Sequence, residues 1–376
     1  MKRKLLCKIV LILLIAGIVI QSQVAAQELN NVEKKYFISH DFKFKNGQAL
    51  PVLTIAYETY GTLAPDGRNA VLITHGYTSS HHAAGRYAPS DPAPGTWDGL
   101  IGPGRAIDTN RYFVVASNNL GSSYGSTGPA SINPVTGKQY GPDFPPFSIL
   151  DTIAAQKLLL EHLGVKHLAA VAGASYGGRL GFLWGVTYPE FVDGIVPVVI
   201  APNSPYNPKT IDNLIARLST DPNWNGGWYY DKGGIPTVMT KIRIQTLKSY
   251  GIEAALKDKF PDPAAREAEI RLQAEPWAKT FDGHSLVVLR RAALGADLEK
   301  DFYKMSGKVK VLYVLSSTDK LYPPSIAPAV MKKLKAAGVD GQFFELKSNL
   351  GHSASGPDAA KWAPALRAFM ERISGK

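Results

Sequence analysis

Cysteine is almost absent from this sequence of 376 residues, and its only example, Cys7, lies close to the amino terminus. Beyond that position the chain can form no disulfide, and it offers no thiolate nucleophile and no cysteine-based zinc site. The neighbouring His81 and His82 have no carboxylate at helical or strand spacing, so they do not form a metal motif either. We therefore expect no bound metal and no cofactor.

Runs of one charge, internal repeats and low-complexity tracts are also missing. The 42 Lys and Arg residues outnumber the 31 Asp and Glu residues, which gives a formal net charge of +11, but no block of five or six basic residues occurs. Nucleic-acid binding would require a clustered basic stripe. We therefore expect no nucleic-acid partner and interpret the positive charge as an aid to solubility, with mild attraction to anionic surfaces.

One apolar run, from Ile9 to Ile20, follows the basic residues at positions 2–4 and precedes the small residues at 24–26. A basic start, a short apolar segment and a small-residue site are the parts of a secretory signal peptide. The run is also shorter than the roughly 20 apolar residues that a membrane span needs. We predict that residues 1–26 are a signal peptide and that the mature protein is secreted or periplasmic without stable membrane insertion. An uncleaved anchor is the alternative.

After the leader, apolar strand-like runs alternate with helical patterns, which is typical of a mostly parallel sheet wrapped by helices. The predicted strands are 41–45, 52–60, 70–74, 112–117, 168–172, 195–200, 309–315 and 342–346, and the main predicted helices are 149–163, 179–187, 264–274, 285–293, 325–337 and 357–373. About 350 residues exceed the usual size of one core. Residues 203–300 lack strand signals, so we predict a helical lid there, over the carboxyl ends of the strands. Residues 27–202 and 301–376 then form the core.

The segment Gly173-Ala174-Ser175-Tyr176-Gly177 has the G-x-S-x-G form of a nucleophile elbow. It lies between a predicted strand and a predicted helix, which is the context that the motif requires in an α/β-hydrolase fold. Glycines on both sides let the flanking backbones pass close to each other. Chance alone would give the pattern in about one of every four or five chains of this composition. A plain glycine-rich turn therefore stays open as the alternative.

A serine hydroxyl becomes a nucleophile only when a base removes its proton, and a carboxylate usually orients that base. Asp319 follows the predicted strand 309–315 and His352 follows the last predicted strand, so the chain order is serine, acid, histidine. Both loops leave strand ends on the same edge of the sheet as Ser175. We predict that Ser175, His352 and Asp319 form a catalytic triad. A turn role for Asp319 and a solvated loop position for His352 are the alternatives.

Two backbone N–H groups should bind the oxyanion of the tetrahedral intermediate. The nucleophile elbow assigns one to Tyr176, and we choose Tyr77, in the loop after strand 70–74, for the second. His75, His81 and His82 precede the serine and are less suited as the base. For His81 and His82 we expect contacts at the surface or with the lid.

Several segments resemble the homoserine O-acetyltransferase (MetX-like) branch of the α/β-hydrolase superfamily. The matching segments are 97–104, 108–115, 119–121, 124–129, 140–146, the elbow, 221–227, 319–324 and 351–352. The resemblance covers roughly residues 50–370 and implies the α/β-hydrolase fold. It also implies Ser175 as the nucleophile with Asp319 and His352 as partners, and a homodimer formed through the lid.

The sequence departs from this family where the acceptor amino acid would bind. The family's acyltransferases carry an Arg-Gln pair before the Asp-Pro of the lid, and the arginine binds the homoserine carboxylate; here Ile215 and Ala216 stand at these positions. Arg217 should face another side of the helix. Ser353 replaces the aspartate that receives the homoserine amino group, and Tyr176 replaces a usual Met or Leu. Because charge-assisted hydrogen bonds are the strong ones, a zwitterion should bind poorly here.

Three functions remain open at this point. We predict a secreted serine hydrolase that cleaves a small-molecule acyl ester through an acyl-enzyme. The alternative is an O-acyltransferase of the same family with a changed acceptor, in which an alcohol instead of water resolves the acyl-enzyme. A non-catalytic binding protein on a hydrolase frame is the third, and the intact serine, acid and base argue against it.

Overall fold

A computed structural model describes residues 29–375 of the chain. The predicted signal peptide, residues 1–26, and Cys7 lie outside the described residues. Within 29–375, no helix combines the length and the apolar character that crossing a bilayer requires.

The core of the protein is an eight-stranded sheet in the order β1-β2-β6-β3-β7-β8-β9-β10. The strands are β1 (Lys35–Lys43), β2 (Ala49–Tyr60), β3 (Ala70–Thr74), β4 (Ile101–Gly102), β5 (Ile107–Asp108), β6 (Phe113–Ser117), β7 (Leu168–Ala174), β8 (Val192–Val198), β9 (Lys310–Ser316) and β10 (Gly341–Leu346). Only β2 pairs antiparallel to its neighbours, β1 and β6, and all other pairs of this sheet are parallel. The short strands β4 and β5 form a separate parallel pair.

Helices cover both faces of the sheet, and a further group of helices stands between β8 and β9, which we refer to as the lid. The helices of the described residues are α1 (Ile149–His162), α2 (Tyr176–Thr187), α3 (Pro208–Leu218), α4 (Pro236–Ser249), α5 (Ile252–Leu256), α6 (Pro263–Thr280), α7 (Gly283–Ala292), α8 (Ala327–Ala336) and α9 (Ala359–Ile373). Helices α3 to α7 follow one another between β8 and β9, in the region where we predict the lid. The α/β-hydrolase fold class is confirmed.

Burial explains why the sequence forms these elements. All five residues of β3 are buried, as expected for a strand inside a parallel sheet with helices on both faces. One apolar cluster packs α1 and α2 against one face, and a second packs Trp362, Leu366 and Phe369 of α9 against the other. At the start of α1 the Ser148 backbone N–H donates to the Asp151 carboxylate at 2.7 Å, which is the capping contact that the sequence spacing indicates.

Several elements differ from the sequence prediction. Strand β1 spans Lys35–Lys43, whereas the sequence predicts a strand over 41–45. Helix α2 begins at Tyr176, directly after the serine, and not at residue 179. The segment 79–105, interpreted from its Gly, Pro and Ser content as a loop, contains β4. Two residues of strand are too short to produce a periodic pattern in the sequence.

Candidate active site

The backbone at Ser175 is strained in the way that a nucleophile elbow requires. Ser175 joins β7 to α2 with φ 56° and ψ −124°, a left-handed region that residues with a Cβ rarely adopt. A Cβ on Gly177 would lie 2.1 Å from the Thr74 carbonyl oxygen, and one on Gly173 would lie 2.2 Å from Thr74 Oγ1. Both positions therefore accept only glycine, because the elbow presses against the end of β3.

The three side chains that we predict as a triad form one continuous hydrogen-bonded chain. His352 Nε2 lies 2.8 Å from Ser175 Oγ, and His352 Nδ1 lies 2.8 Å from Asp319 Oδ2. Asp319 is 2% exposed and His352 is 6% exposed, whereas Ser175 is partly open. The arrangement has the order serine, imidazole, carboxylate, with one imidazole nitrogen available for each partner.

The Asp319 carboxylate is fixed by its own loop. Its Oδ1 accepts hydrogen bonds from the backbone N–H of Leu321 at 2.8 Å and of Tyr322 at 3.3 Å, which leaves Oδ2 for His352. The rings of Tyr250 and Tyr322 pack on the imidazole, with centroid distances of 4.7 and 5.8 Å. The histidine is therefore held by two aromatic rings and at its Nδ1 atom.

The two amides that we assign to the oxyanion hole lie next to the serine. Tyr176 is the first residue of α2, where an N–H has no acceptor within the helix and the helix dipole is positive. The loop after β3 passes close by, since a Cβ on Gly76 would lie 3.7 Å from Ser175 Cβ. Among the hydrogen bonds of residues 29–375, the Tyr77 N–H donates to no protein acceptor.

A cavity of about 570 Å³ opens at this point. Its lining combines the reacting groups with small and aromatic side chains, among them Ser175, His352, Tyr77, Thr78, Trp97 and Tyr250. Asp98 also lines it, but this carboxylate accepts from the Gly85 N–H at 2.8 Å and lies 3.5 Å from Arg105. The volume suits a small molecule rather than a polymer.

The lid touches the loop that carries Tyr77. The Tyr77 hydroxyl donates to the Leu286 carbonyl of α7 at 2.5 Å, and Trp277 Nε1 of α6 donates to the Thr78 carbonyl at 3.0 Å. The His352 N–H donates to the Tyr250 carbonyl at 3.1 Å. Helices distant from the triad in sequence therefore help to fix both the oxyanion loop and the base.

Our expectation that His81 and His82 contact the surface or the lid is wrong. His81 is buried, and His82 Nδ1 lies 3.1 Å from Glu58 Oε1, a fully buried carboxylate on β2. Tyr60 and Tyr87 also donate to Glu58. Burial raises the pKa of Glu58, but the hydrogen bonds from His82, Tyr60 and Tyr87 outweigh it and leave the pKa below its usual value. No local spacing reveals this contact, because Glu58 comes from another strand.

His75 and His81 are both neutral near pH 7 because burial lowers the pKa of each to about 4. His75 Nε2 also accepts the Asn119 N–H at 2.9 Å, a contact that an imidazolium could not make. In the unfolded chain each would titrate at about 6.5. Between pH 4 and pH 6.5 the unfolded state therefore binds more protons than the folded state. The free energy of unfolding decreases as the pH falls through this range.

The lowered pKa of His81 predicts how the free energy of unfolding of a His81→Asn variant depends on pH. Its free energy of unfolding should decrease less between pH 7 and pH 5 than that of the wild type, by about 1–2 kcal/mol. Urea unfolding at both pH values measures the difference. His40→Asn, at an exposed position of β1, is the control and should keep the wild-type slope. Equal slopes for His81→Asn and the wild type would show that the pKa of His81 is the same in the folded protein as in the unfolded chain.

Four positions depart from the acyltransferase pattern, and none of them carries a charge. Ile215 on α3 packs against the core, Arg217 is hydrogen-bonded to Gln245 of α4, and Ser353 is exposed beside the base. Within residues 29–375, no three His, Cys, Asp or Glu side chains group as metal ligands do.

Sequence reasoning missed three lid residues near the site. Arg243, Tyr250 and Arg290 belong to α4, to its end and to α7. Helical periodicity marks such positions as lid residues but cannot show which neighbours they contact. In the structure Arg243 donates to Thr78, Arg290 lies over the Tyr77 ring, and the Tyr250 ring packs on His352.

Comparison with known proteins places this geometry in a family. A family model described as alpha/beta hydrolase fold matches residues 69–356. The homoserine O-acetyltransferase of Solidesulfovibrio magneticus is 35% identical, covering 94% of this chain and 96% of its own length. That of Desulfotalea psychrophila is 36% identical, covering 91% and 95%.

Solved structures give the same result. Esterase E22 matches with a TM-score of 0.83 and 31% identity, covering 90% of this chain and 100% of its own. The homoserine O-acetyltransferase from Bacillus anthracis matches with a TM-score of 0.83 and 30% identity, covering 91% and 98%. The chain is thus an α/β-hydrolase enzyme. Within that class it belongs to the homoserine O-acetyltransferase-like family, and the resemblance noted in the sequence is confirmed.

Proposed function

We propose that the protein is a serine-dependent O-acyl-transfer enzyme, in which Ser175 takes an acyl group from an ester and passes it to a hydroxyl acceptor. The observation that carries the proposal is the hydrogen-bonded chain from Ser175 through His352 to Asp319, at 2.8 Å in each step. The similarity to homoserine O-acetyltransferases supports transfer to an alcohol. Because the charged groups for homoserine are missing at 215 and 353, we propose an acceptor other than homoserine.

Each residue has a defined role in the proposed reaction. Ser175 Oγ attacks the acyl carbon while His352 Nε2 removes its proton, and Asp319 stabilises the imidazolium. The Tyr77 and Tyr176 amides bind the oxyanion; losing one such donor typically costs about 3–4 kcal/mol of transition-state stabilisation. The alkoxide leaves with the proton from His352, and the acyl group stays on Ser175. His352 then deprotonates the incoming hydroxyl, which takes the acyl group and restores Ser175.

Hydrolysis is the second candidate, with water as the acceptor. The match to esterase E22, at the same TM-score as the acetyltransferase from Bacillus anthracis, favours it. The apolar Ile215 and the exposed Ser353 also favour it, because they leave an amino-acid acceptor without ionic partners.

A partition experiment separates these candidates. The enzyme is incubated with p-nitrophenyl acetate alone and with 4-hydroxybutanoate, homoserine or 1-butanol, and both free acetate and acetylated alcohol are measured. We expect 4-hydroxybutanoate or 1-butanol to compete with water for the acetyl group and homoserine to be a poor acceptor. Acetate as the only product with every alcohol would establish hydrolysis. Preferential acetylation of homoserine would contradict our proposal about the acceptor.

A further inference from the structure

The cavity at Ser175 is surrounded mainly by loops of the core. Most of its wall comes from the segments 73–83, 94–99 and 352–357, and the lid contributes Tyr250. His352, in the third segment, must protonate the departing alcohol and deprotonate the incoming one. The oxygen of the alcohol therefore lies at the His352 end of this cavity, and the rest of the alcohol meets the groups that line it.

The wall of this cavity offers no free charge to a ligand. Within residues 29–375, no lysine or arginine lines it. The carboxylate that lines it, Asp98, accepts from the Gly85 N–H at 2.8 Å and lies 3.5 Å from Arg105. A charged alcohol would therefore lose hydration in the cavity without gaining an ionic partner, which is costly.

Two buried hydroxyl groups of the wall are fixed by donors of the protein. Ser355 Oγ accepts from Trp97 Nε1 at 3.1 Å, and Thr78 Oγ1 accepts from Arg243 Nη1 at 2.9 Å. Both side chains are 6% exposed. A hydroxyl has one hydrogen to donate besides its acceptor positions, and accepting a bond does not use it. Each of these hydroxyls can therefore still donate.

Tyr250 and His81 add neutral polar groups to the same wall. The Thr78 hydroxyl acts on Tyr250, where it opposes the rise in pKa that burial causes. A bond between these two hydroxyls uses one of their hydrogens and leaves the other for a ligand. His81 is 2% exposed and lines the cavity, and neither of its ring nitrogens has a hydrogen-bond partner within the described residues.

The number of these groups indicates more than one hydroxyl on the ligand. Further hydroxyl side chains line the cavity at more open positions, namely Ser80, Thr96 and Ser353. Buried polar groups normally have hydrogen-bond partners, and a site built to bond a hydroxyl discriminates against an analogue that lacks it. The cavity of about 570 Å³ has room for an alcohol of the size of glycerol or of one sugar ring.

We propose that the alcohol part of the natural ester is a small neutral polyol, which keeps free hydroxyls beside the esterified one. The proposal rests on the acyl transfer at Ser175 proposed above. The free hydroxyls accept from Ser355 and from the pair Thr78 and Tyr250. In the transfer direction the polyol is the acceptor: one hydroxyl gives its proton to His352 as its oxygen bonds the acyl carbon, and Ser175 regains that proton when its own bond to this carbon breaks.

The test compares 1-acetylglycerol with propyl acetate, which has the same carbon chain and acyl group but lacks the two free hydroxyls. We expect the wild type to prefer 1-acetylglycerol in kcat/KM by about tenfold or more, as one or two additional hydrogen bonds would give. Ser355→Ala and Thr78→Val should each reduce this preference several-fold. Partial unfolding of a variant lowers both rates equally, so the ratio still reports on the hydroxyl. Equal kcat/KM for the two esters in the wild type would overturn the proposal.

Thr152→Val is the matched control. Thr152 is a fully buried residue of α1 that lies outside the wall of the cavity, and its Oγ1 has no hydrogen-bond partner among the described residues. Its replacement should leave the preference for 1-acetylglycerol unchanged. The same loss of preference in Thr152→Val and Thr78→Val would contradict a direct bond from Thr78, because the effect would then come from altered packing.

Charged esters test the alternative of an ionic ligand. Acetylcholine and 4-acetoxybutanoate have the same acetyl group, with a cation in one alcohol and an anion in the other. We expect both to react with a lower kcat/KM than 1-acetylglycerol. A higher kcat/KM for either would overturn the proposal, since the alcohol would then have an ionic partner at the site.

A binding measurement keeps this proposal separate from the catalytic one. In calorimetry, Ser175→Ala protein should bind 1-acetylglycerol more tightly than propyl acetate, and Ser355→Ala on that background should reduce the difference. Absent turnover of both esters by the wild type, with this binding difference intact, would contradict the proposed function only. Equal binding of the two esters by Ser175→Ala would overturn the polyol site, whether or not the wild type cleaves them.

Discussion

Replacing Ser175 by alanine lowers kcat/KM for p-nitrophenyl acetate by about 10⁵-fold, if the serine is the nucleophile that we propose. Removing any member of a triad costs several orders of magnitude, and the residual rate comes from the oxyanion donors and from binding. Alanine has the same backbone requirement as serine at φ 56°, so the elbow itself should not change. Initial rates over a range of ester concentrations, with thermal unfolding of each variant, measure the effect.

Ser79→Ala is the control for this experiment. Ser79 also lines the cavity and belongs to the same loop as Gly76, but it lies outside the hydrogen-bonded chain of the triad. Its removal should change kcat/KM by no more than about threefold. If Ser175→Ala kept more than about one hundredth of the wild-type rate, the acyl-enzyme would not form at this serine. A fluorophosphonate probe that labels the wild type and not Ser175→Ala gives an independent check.

The parts of the site that could be predicted from the sequence depend on local rules. Strand β3 has the same limits, 70–74, in the prediction and in the structure, because an unbroken apolar run is typical of a strand that is buried on both faces of a parallel sheet. The elbow is recognisable since Thr74 leaves no room for a Cβ at Gly173 or Gly177. Loops that follow parallel strands meet at one edge, which is why Asp319 and His352 could be associated with Ser175.

The parts that could not be predicted depend on how distant elements pack. Glu58 reaches His81 and His82 because β2 lies next to β6 in the sheet, an order that the sequence does not determine. Arg243 and Arg290 contact Thr78 and Tyr77 because α4 and α7 lie next to the loop 77–78. The amphipathic pattern of a lid helix identifies its buried face but not the neighbour that covers it.

Asp319→Asn should lower kcat/KM by about 10³–10⁴-fold while the protein stays folded. The reason lies in the two N–H groups of Leu321 and Tyr322 that donate to Oδ1. In the variant the amide oxygen must take this position, so the NH₂ group points at His352 Nδ1. The imidazole then has to accept at Nδ1 and carry its proton on Nε2. In that tautomer Nε2 donates to Ser175 and cannot remove its proton.

Asp358→Asn is the matched control, because Asp358 is a half-buried carboxylate near the last loop, where it accepts from Ser348. Its replacement should leave kcat/KM within a few-fold of the wild type. The tautomer argument adds a second expectation, which is that KM for p-nitrophenyl acetate changes little in Asp319→Asn and that the loss is in kcat. A loss in KM alone would mean that Asp319 shapes the cavity and does not orient His352. The distinction matters, since the same 2.8 Å contact would serve either role.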